Sequence, residues 1–210
     1  MRDIDKIRLK MKENSEEIIE NIPQIEIDLY NFIQNQFQKL NKNPIHKKFK
    51  KVFKVFYGQG INFIQNYFDT LFDSRLNKRI RKIDNIIDLK SIFEEILDSF
   101  YGDSGKNQYS YTSKLIHTIN TNFPIYDSNV KEVFGFKSYY DCQLRRKEFF
   151  DNVYKKIYKT YSQIIEKNLI KEIVEKFSKE RDVSKLNSIK KIDFLFWGMG
   201  KFIKKNKEMV

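Results

Sequence analysis

Ser110-Tyr-Thr-Ser-Lys114-Leu-Ile-His117-Thr-Ile119, continuing as Asn120-Thr-Asn-Phe123-Pro124-Ile-Tyr126-Asp127-Ser-Asn-Val-Lys-Glu-Val-Phe-Gly135, reads as a turn, a short helix, an extended loop, a capping aspartate and a second short helix. Pro124 keeps the residue before it out of the helical region, and the Asp127-Ser128 pair supplies the oxygen that the open amides of a helix start require. The first helix is expected from about Thr112 to Ile119 and the second from Ser128 to about Phe134.

Outward from this segment the chain keeps a helical period. Ile4, Ile7 and Met11, then Ile18, Ile19 and Ile22, then Ile25, Leu29, Phe32, Ile33 and Phe37 fit two amphipathic helices on either side of Pro23. Asn43-Pro44 opens a helix through Phe56, which Gly58 and Gly60 break; Phe63, Ile64, Tyr67, Phe68 and Phe72 resume the stripe. Ile87, Leu89, Ile92, Phe93, Ile96, Leu97 and Phe100 form another apolar face, and the Gly102–Ser110 stretch is the most loop-like of the chain. Ser138 to about Phe177 reads as one long helix or two shorter ones. Ile192–Ile203 (IDFLFWGMGKFI) is apolar enough to dock on the core.

Across 210 residues there are 7 Gly and 3 Pro, too few corners for a sandwich, barrel or propeller, so the fold is expected to be all-α. The length suits one compact unit: residues 1–40 as N-terminal helices packed on a helical domain of residues 41–210. No apolar run approaches the 18 residues that suggest a membrane span, and the charged start is no signal peptide, so a cytoplasmic monomer is expected. One cysteine, Cys142, and two histidines, His46 and His117, are too few soft ligands for a structural zinc site, and no Gly-rich phosphate loop is present. No metal or organic cofactor is expected.

The net charge of +12 is segregated. Residues 29–68 hold seven basic side chains and no acidic one, and residues 137–210 hold nineteen against ten, whereas residues 1–28 are net acidic. Within Lys39–Lys54, Lys47, Lys48, Lys50, Lys51 and Lys54 interleave with Phe49 and Phe53, the pattern of a basic stripe on a helix. It reads either as a phosphate-contacting surface or as a solvated face. Double-stranded DNA, damaged or foreign, is the expected partner.

The Ser110–Gly135 order resembles the helix-hairpin-helix DNA glycosylase superfamily. It is similar in particular to bacterial and archaeal proteins of the 8-oxoguanine DNA glycosylase fold, in which a Ser-Lys opens a helix and a Phe-Pro-Ile-(Tyr/Trp)-Asp-Ser segment follows. Ile192–Lys201 resembles their closing helix. The resemblance implies that Lys114 is a nucleophile and Asp127 its carboxylate partner, and that the protein is a base-excision repair glycosylase, with AP lyase activity, acting on a flipped damaged purine. Ser110 and Thr112 would then lie against the DNA backbone, and Phe123, Tyr126, His117 and Trp197 would line the base pocket. Two features differ from the superfamily: Ser110-Tyr111-Thr112 replaces its Gly-x-Gly hairpin, and Asp127 follows Lys114 by only 13 positions. They leave open a non-catalytic nucleic-acid-binding protein of the same fold, one acting against foreign DNA, and a helical protein-interaction domain. For His117, Phe123, Tyr126 and Trp197 the plain alternative is core packing, and for Asp127 a bare helix cap.

Overall fold

The computed structural model describes residues 3–39, 47–64, 66–136 and 148–207. Among these residues there are twelve α-helices and no strand. In chain order they are α1 (Ile4–Glu13), α2 (Ser15–Glu20), α3 (Gln24–Lys39), α4 (Lys47–Tyr57), α5 (Tyr67–Phe72) and α6 (Ser74–Arg81). They continue as α7 (Ile86–Ser104), α8 (Tyr109–Ile119), α9 (Ser128–Phe134), α10 (Lys155–Glu166), α11 (Lys171–Glu180) and α12 (Ser188–Lys207). A 3-10 turn, Gln59–Phe63, follows α4, and a π turn, Phe150–Tyr154, leads into α10. No described helix is long and apolar enough to cross a membrane.

The helices break where local chemistry requires it. The N-terminal stripe divides into three helices because the Asn14 side chain bonds back to Lys10 O at 2.8 Å and ends α1. Asn85 caps α7 by accepting from the amides of Ile87 and Asp88, both at 3.0 Å, and this sets the phase of the helix. Ile86 rather than Ile87 therefore turns inward, and Ile87 is exposed. The stretch expected to be one or two helices after Ser138 divides between α10 and α11 at Asn168, whose φ of 51° is left-handed. Its first residues, and the expected helix start at Asn43-Pro44, lie outside the described residues, as do His46 and Cys142.

Phenylalanine and tyrosine fill much of the core. The closing helix α12 packs on α2 and, most extensively, on α9. Gly198 and Gly200 allow both approaches. A Cβ on Gly198 would stand 2.5 Å from Ile18 O, and one on Gly200 would meet the backbone of Asn129 in the first turn of α9. The close contact at Gly200 seats α9, and with it the aspartate that caps α9.

Candidate functional site

α8 begins at Tyr109, three residues before the expected start, and this fixes which of its residues share a face. Ser110 and Lys114, four apart, point the same way, while Thr112 is turned by about 200° into the interior. Lys114 Nζ donates to Tyr57 O at 2.9 Å and lies 4.8 Å from the ring centroid of Tyr111 and 5.7 Å from that of Tyr57. Tyr57 closes α4, so its carbonyl is one of those a helix end leaves without an intrahelical donor. Gly58, at φ +104°, then turns the chain in a way few other residues tolerate. Burial lowers the pKa of the Lys114 ammonium from its ordinary value; Asp127 pulls against that effect, Lys190 adds to it and Asp193 opposes it.

Asp127 caps α9: its Oδ1 accepts from the amides of Asn129 and Val130, both at 2.8 Å. Burial raises its pKa, while Lys114 and the Val130 amide counteract the rise. Lys114 and Asp127 form no contact ion pair. Both line one cleft of about 420 Å³, whose walls also include Val55 and Phe56 of α4, Ser110 of α8, and Phe194 and Trp197 of α12.

The Asn120–Asp127 loop that carries the aspartate is held by side chains from several directions. Ser113 Oγ accepts from Tyr126 N at 3.0 Å, Tyr154 OH donates to Pro124 O at 2.9 Å, and Asn187 Nδ2 donates to Thr121 Oγ1 at 2.9 Å. His117 Nδ1 lies 2.6 Å from Phe123 O. Because a carbonyl only accepts, Nδ1 carries the proton and Nε2 accepts from Tyr30 OH at 3.0 Å. Burial then lowers the imidazole pKa to about 3, with the charge of Lys190 contributing.

A second lysine–aspartate pair, on α12, was not singled out in the sequence. Lys190 Nζ donates to Asp193 Oδ2 at 2.7 Å, and both residues are buried on the wall of the cleft. The ammonium sits 4.5 Å from the ring centroid of Tyr30 and 4.4 Å from that of Phe194, an aromatic enclosure that compensates part of its lost hydration. Asp193 Oδ1 accepts from Ile125 N at 3.2 Å, so this pair too restrains the loop. Its signal in the sequence is Asp193 standing alone among Ile192, Phe194, Leu195 and Phe196.

Of the residues expected at the site, Lys114, Asp127, Ser110 and Trp197 meet at the cleft. Thr112, His117, Phe123 and Tyr126 are buried and do not line it. Thr112 follows from the helix phase. Tyr126 follows from the alternation of extended backbone, which sends Ile125 and Asp127 to the cleft and Tyr126 the other way, against Phe149. Phe123 packs on Tyr158, and His117 is engaged with the loop.

Four of the five α4 lysines, Lys48, Lys50, Lys51 and Lys54, can be placed by helix phase or by contact. On an ideal helix Lys48 and Lys51 fall within about 40° of the cleft-lining Val55. Lys50 and Lys54 lie over the ring of Phe68, at 5.1 and 5.9 Å from its centroid, and Lys48 lies 5.6 Å from the ring centroid of Phe32.

Chemically, the cleft offers an amine whose pKa burial lowers, a carboxyl group fixed by two amides, an apolar and aromatic wall, and a second, buried lysine–aspartate pair. Comparison with family models, with curated proteins and with solved structures returns no match to this chain.

Proposed function

We propose that the protein is a DNA N-glycosylase with AP lyase activity, in which Lys114 is the nucleophile and Asp127 the carboxylate that stabilises positive charge on the sugar. The observation that carries this reading is that Lys114 and Asp127 line one cleft of base-accommodating size, with burial lowering the lysine pKa. An unprotonated amine can attack the anomeric carbon while the electron pair of the glycosidic bond leaves with the base. Asp127 opposes the developing charge, and its fixed geometry means little reorganisation at the moment of reaction. The residues Ser110–Gly135, which resemble the helix-hairpin-helix glycosylases, are those that bring the pair to the cleft.

A second reading, a nucleic-acid-binding protein without catalysis, is favoured by one observation. Both functional groups already have structural partners, Lys114 the carbonyl of Tyr57 and Asp127 the amides of α9.

Trapping with abasic duplex DNA separates the two. The Lys114 amine condenses with the sugar aldehyde to an imine with loss of water, and borohydride reduces the imine to a stable secondary amine. Wild-type protein should give a covalent adduct that Lys114→Gln abolishes while DNA binding is kept. Trapping should rise with pH through the lowered lysine pKa and level off before the range of an ordinary lysine. Asp127→Asn should slow base release, since it removes the charge and retains the cap. Absence of an adduct, with DNA binding intact, would leave the non-catalytic reading.

A further inference from the structure

α12 carries one helical face through two environments. Lys190, Asp193 and Trp197 line the cleft, and Lys201 and Lys204 continue the same face, each within about 40° of Trp197 on an ideal helix. Lys201 Nζ lies 3.7 Å from the centroid of the Trp197 ring and donates to Asn21 O at 3.4 Å. Lys204 Nζ donates to Ser128 Oγ at 2.8 Å and Asn129 Oδ1 at 2.7 Å, and both of those residues line the cleft. The hydrogen bonds and ring contact of both ammonium groups are thus with neutral groups, and each group rests against residues that line the cleft, Lys201 on Trp197 and Lys204 on Ser128 and Asn129. Two acids act on the pair through charge: Glu26 of α3, which also lines the cleft, on Lys201, and Glu132 of α9, whose carboxyl pKa Lys204 helps to lower. On the α4 side, Lys48 and Lys51 share the face of Val55.

Resting on the DNA-binding reading above, we infer that Lys201 and Lys204 form a second phosphate-contacting rim, so that the DNA backbone crosses the cleft mouth from α4 to the C-terminal half of α12. Charge complementarity carries the inference: cations lie on both of the helices that wall the cleft, α4 and α12, and a nucleotide entering the cleft brings its own phosphates past both. Lys201 has a further part. In the free protein its ammonium covers one face of the indole, and engagement of a phosphate moves it off that ring.

The test uses the full chain and a duplex bearing a tetrahydrofuran abasic analogue, with affinity measured by anisotropy as a function of salt. Trp197 is the sole tryptophan, so intrinsic fluorescence reports on the ring that Lys201 covers. The double variant K201Q/K204Q should melt like wild type and should reduce the magnitude of the log–log salt slope by about 2, close to 0.9 per lost phosphate contact. Its free-state fluorescence should shift toward that of the DNA-bound wild type. An unchanged slope in K201Q/K204Q, alongside a reduced slope in K48Q/K51Q, overturns the second rim and leaves the DNA reading standing. No binding by wild-type protein at low salt overturns the DNA reading and the rim with it. A reduced slope, together with no borohydride adduct in the separate trapping with authentic abasic duplex that carries the sugar aldehyde, upholds the rim and removes only the catalytic claim.

Discussion

On the side of the cleft built from α8, the Asn120–Asp127 loop and α12, buried polar side chains fix the backbone atom by atom: Ser113 on Tyr126, His117 on Phe123, Tyr154 on Pro124, Asp193 on Ile125. On the side built from α4 the wall is held by rings. Phe53 packs 4.5 Å from Tyr57, 5.7 Å from Tyr67 and 5.6 Å from Phe68, and Phe49 packs 5.5 Å from Phe72. Hydrogen bonds are directional and costly to leave unmade when buried, whereas ring packing tolerates sliding at modest cost. The difference teaches where positional accuracy is concentrated: around Asp127, and much less along the helix that carries the lysines.

Asp193→Asn provides the strongest way to break the comparison. It leaves the Lys190 ammonium buried without a carboxylate, a loss of about 3–5 kcal/mol in stability. Phe53→Met in the ring-packed wall is an apolar exchange of similar volume and should cost about 1.5 kcal/mol or less. Denaturant unfolding of both variants decides it, and equal losses would mean that the two walls do not differ in kind.

His117 sharpens the comparison through pH. Its folded pKa of about 3 lies below the 6.5 of an unperturbed imidazole, so between these values the unfolded chain binds a proton that the folded chain does not. Stability therefore falls as pH drops below about 6.5, by up to about 1.4 kcal/mol per pH unit from this group, until the folded imidazole itself titrates near 3. Unfolding measured from pH 4 to 7 should show a shallower dependence in His117→Gln than in wild type.

The smallest effect concerns the ring-packed side. Lys48→Gln with Lys51→Gln should lower the DNA salt slope by about 2. Lys50→Gln with Lys54→Gln should change it less, because those two are turned about 140° and 100° away from the cleft-lining Val55 on an ideal helix. Equal changes would show that α4 presents its whole basic surface to the ligand.

The helical class was legible because the scarcity of Gly and Pro and the 3.6-residue period act locally. The loop bearing Asp127 was legible for the same reason; the face shared by Ser110 and Lys114 was not, because the expected helix began at Thr112 and left Ser110 outside it. Which residues of that segment enter the cleft was not, because it depends on phase. A helix starting at Tyr109 turns Thr112 inward, and the extended backbone at Asp127 sends Tyr126 to the opposite side. The Lys190–Asp193 pair escaped notice because Lys190 resembles the other lysines of a lysine-rich chain; only the fold surrounds it with Tyr30 and Phe194. The division of the α4 lysines was likewise invisible without Val55 and Phe68 as reference points.

The two glycines of α12 bear on any effort to make this protein more robust. Replacing helical glycine by alanine usually raises stability, since glycine gives up the most chain entropy on folding. Here the rule would divide by position. At Gly102, on α7, an added methyl group meets nothing within 4 Å, and the gain should be the usual ~0.5–1 kcal/mol. At Gly200 the same methyl group meets the backbone of Asn129, two residues after Asp127. A stabilisation screen scored on melting temperature alone would register the loss there without its cause: α9 would be levered away from α12, and the cap of α9 would go with it.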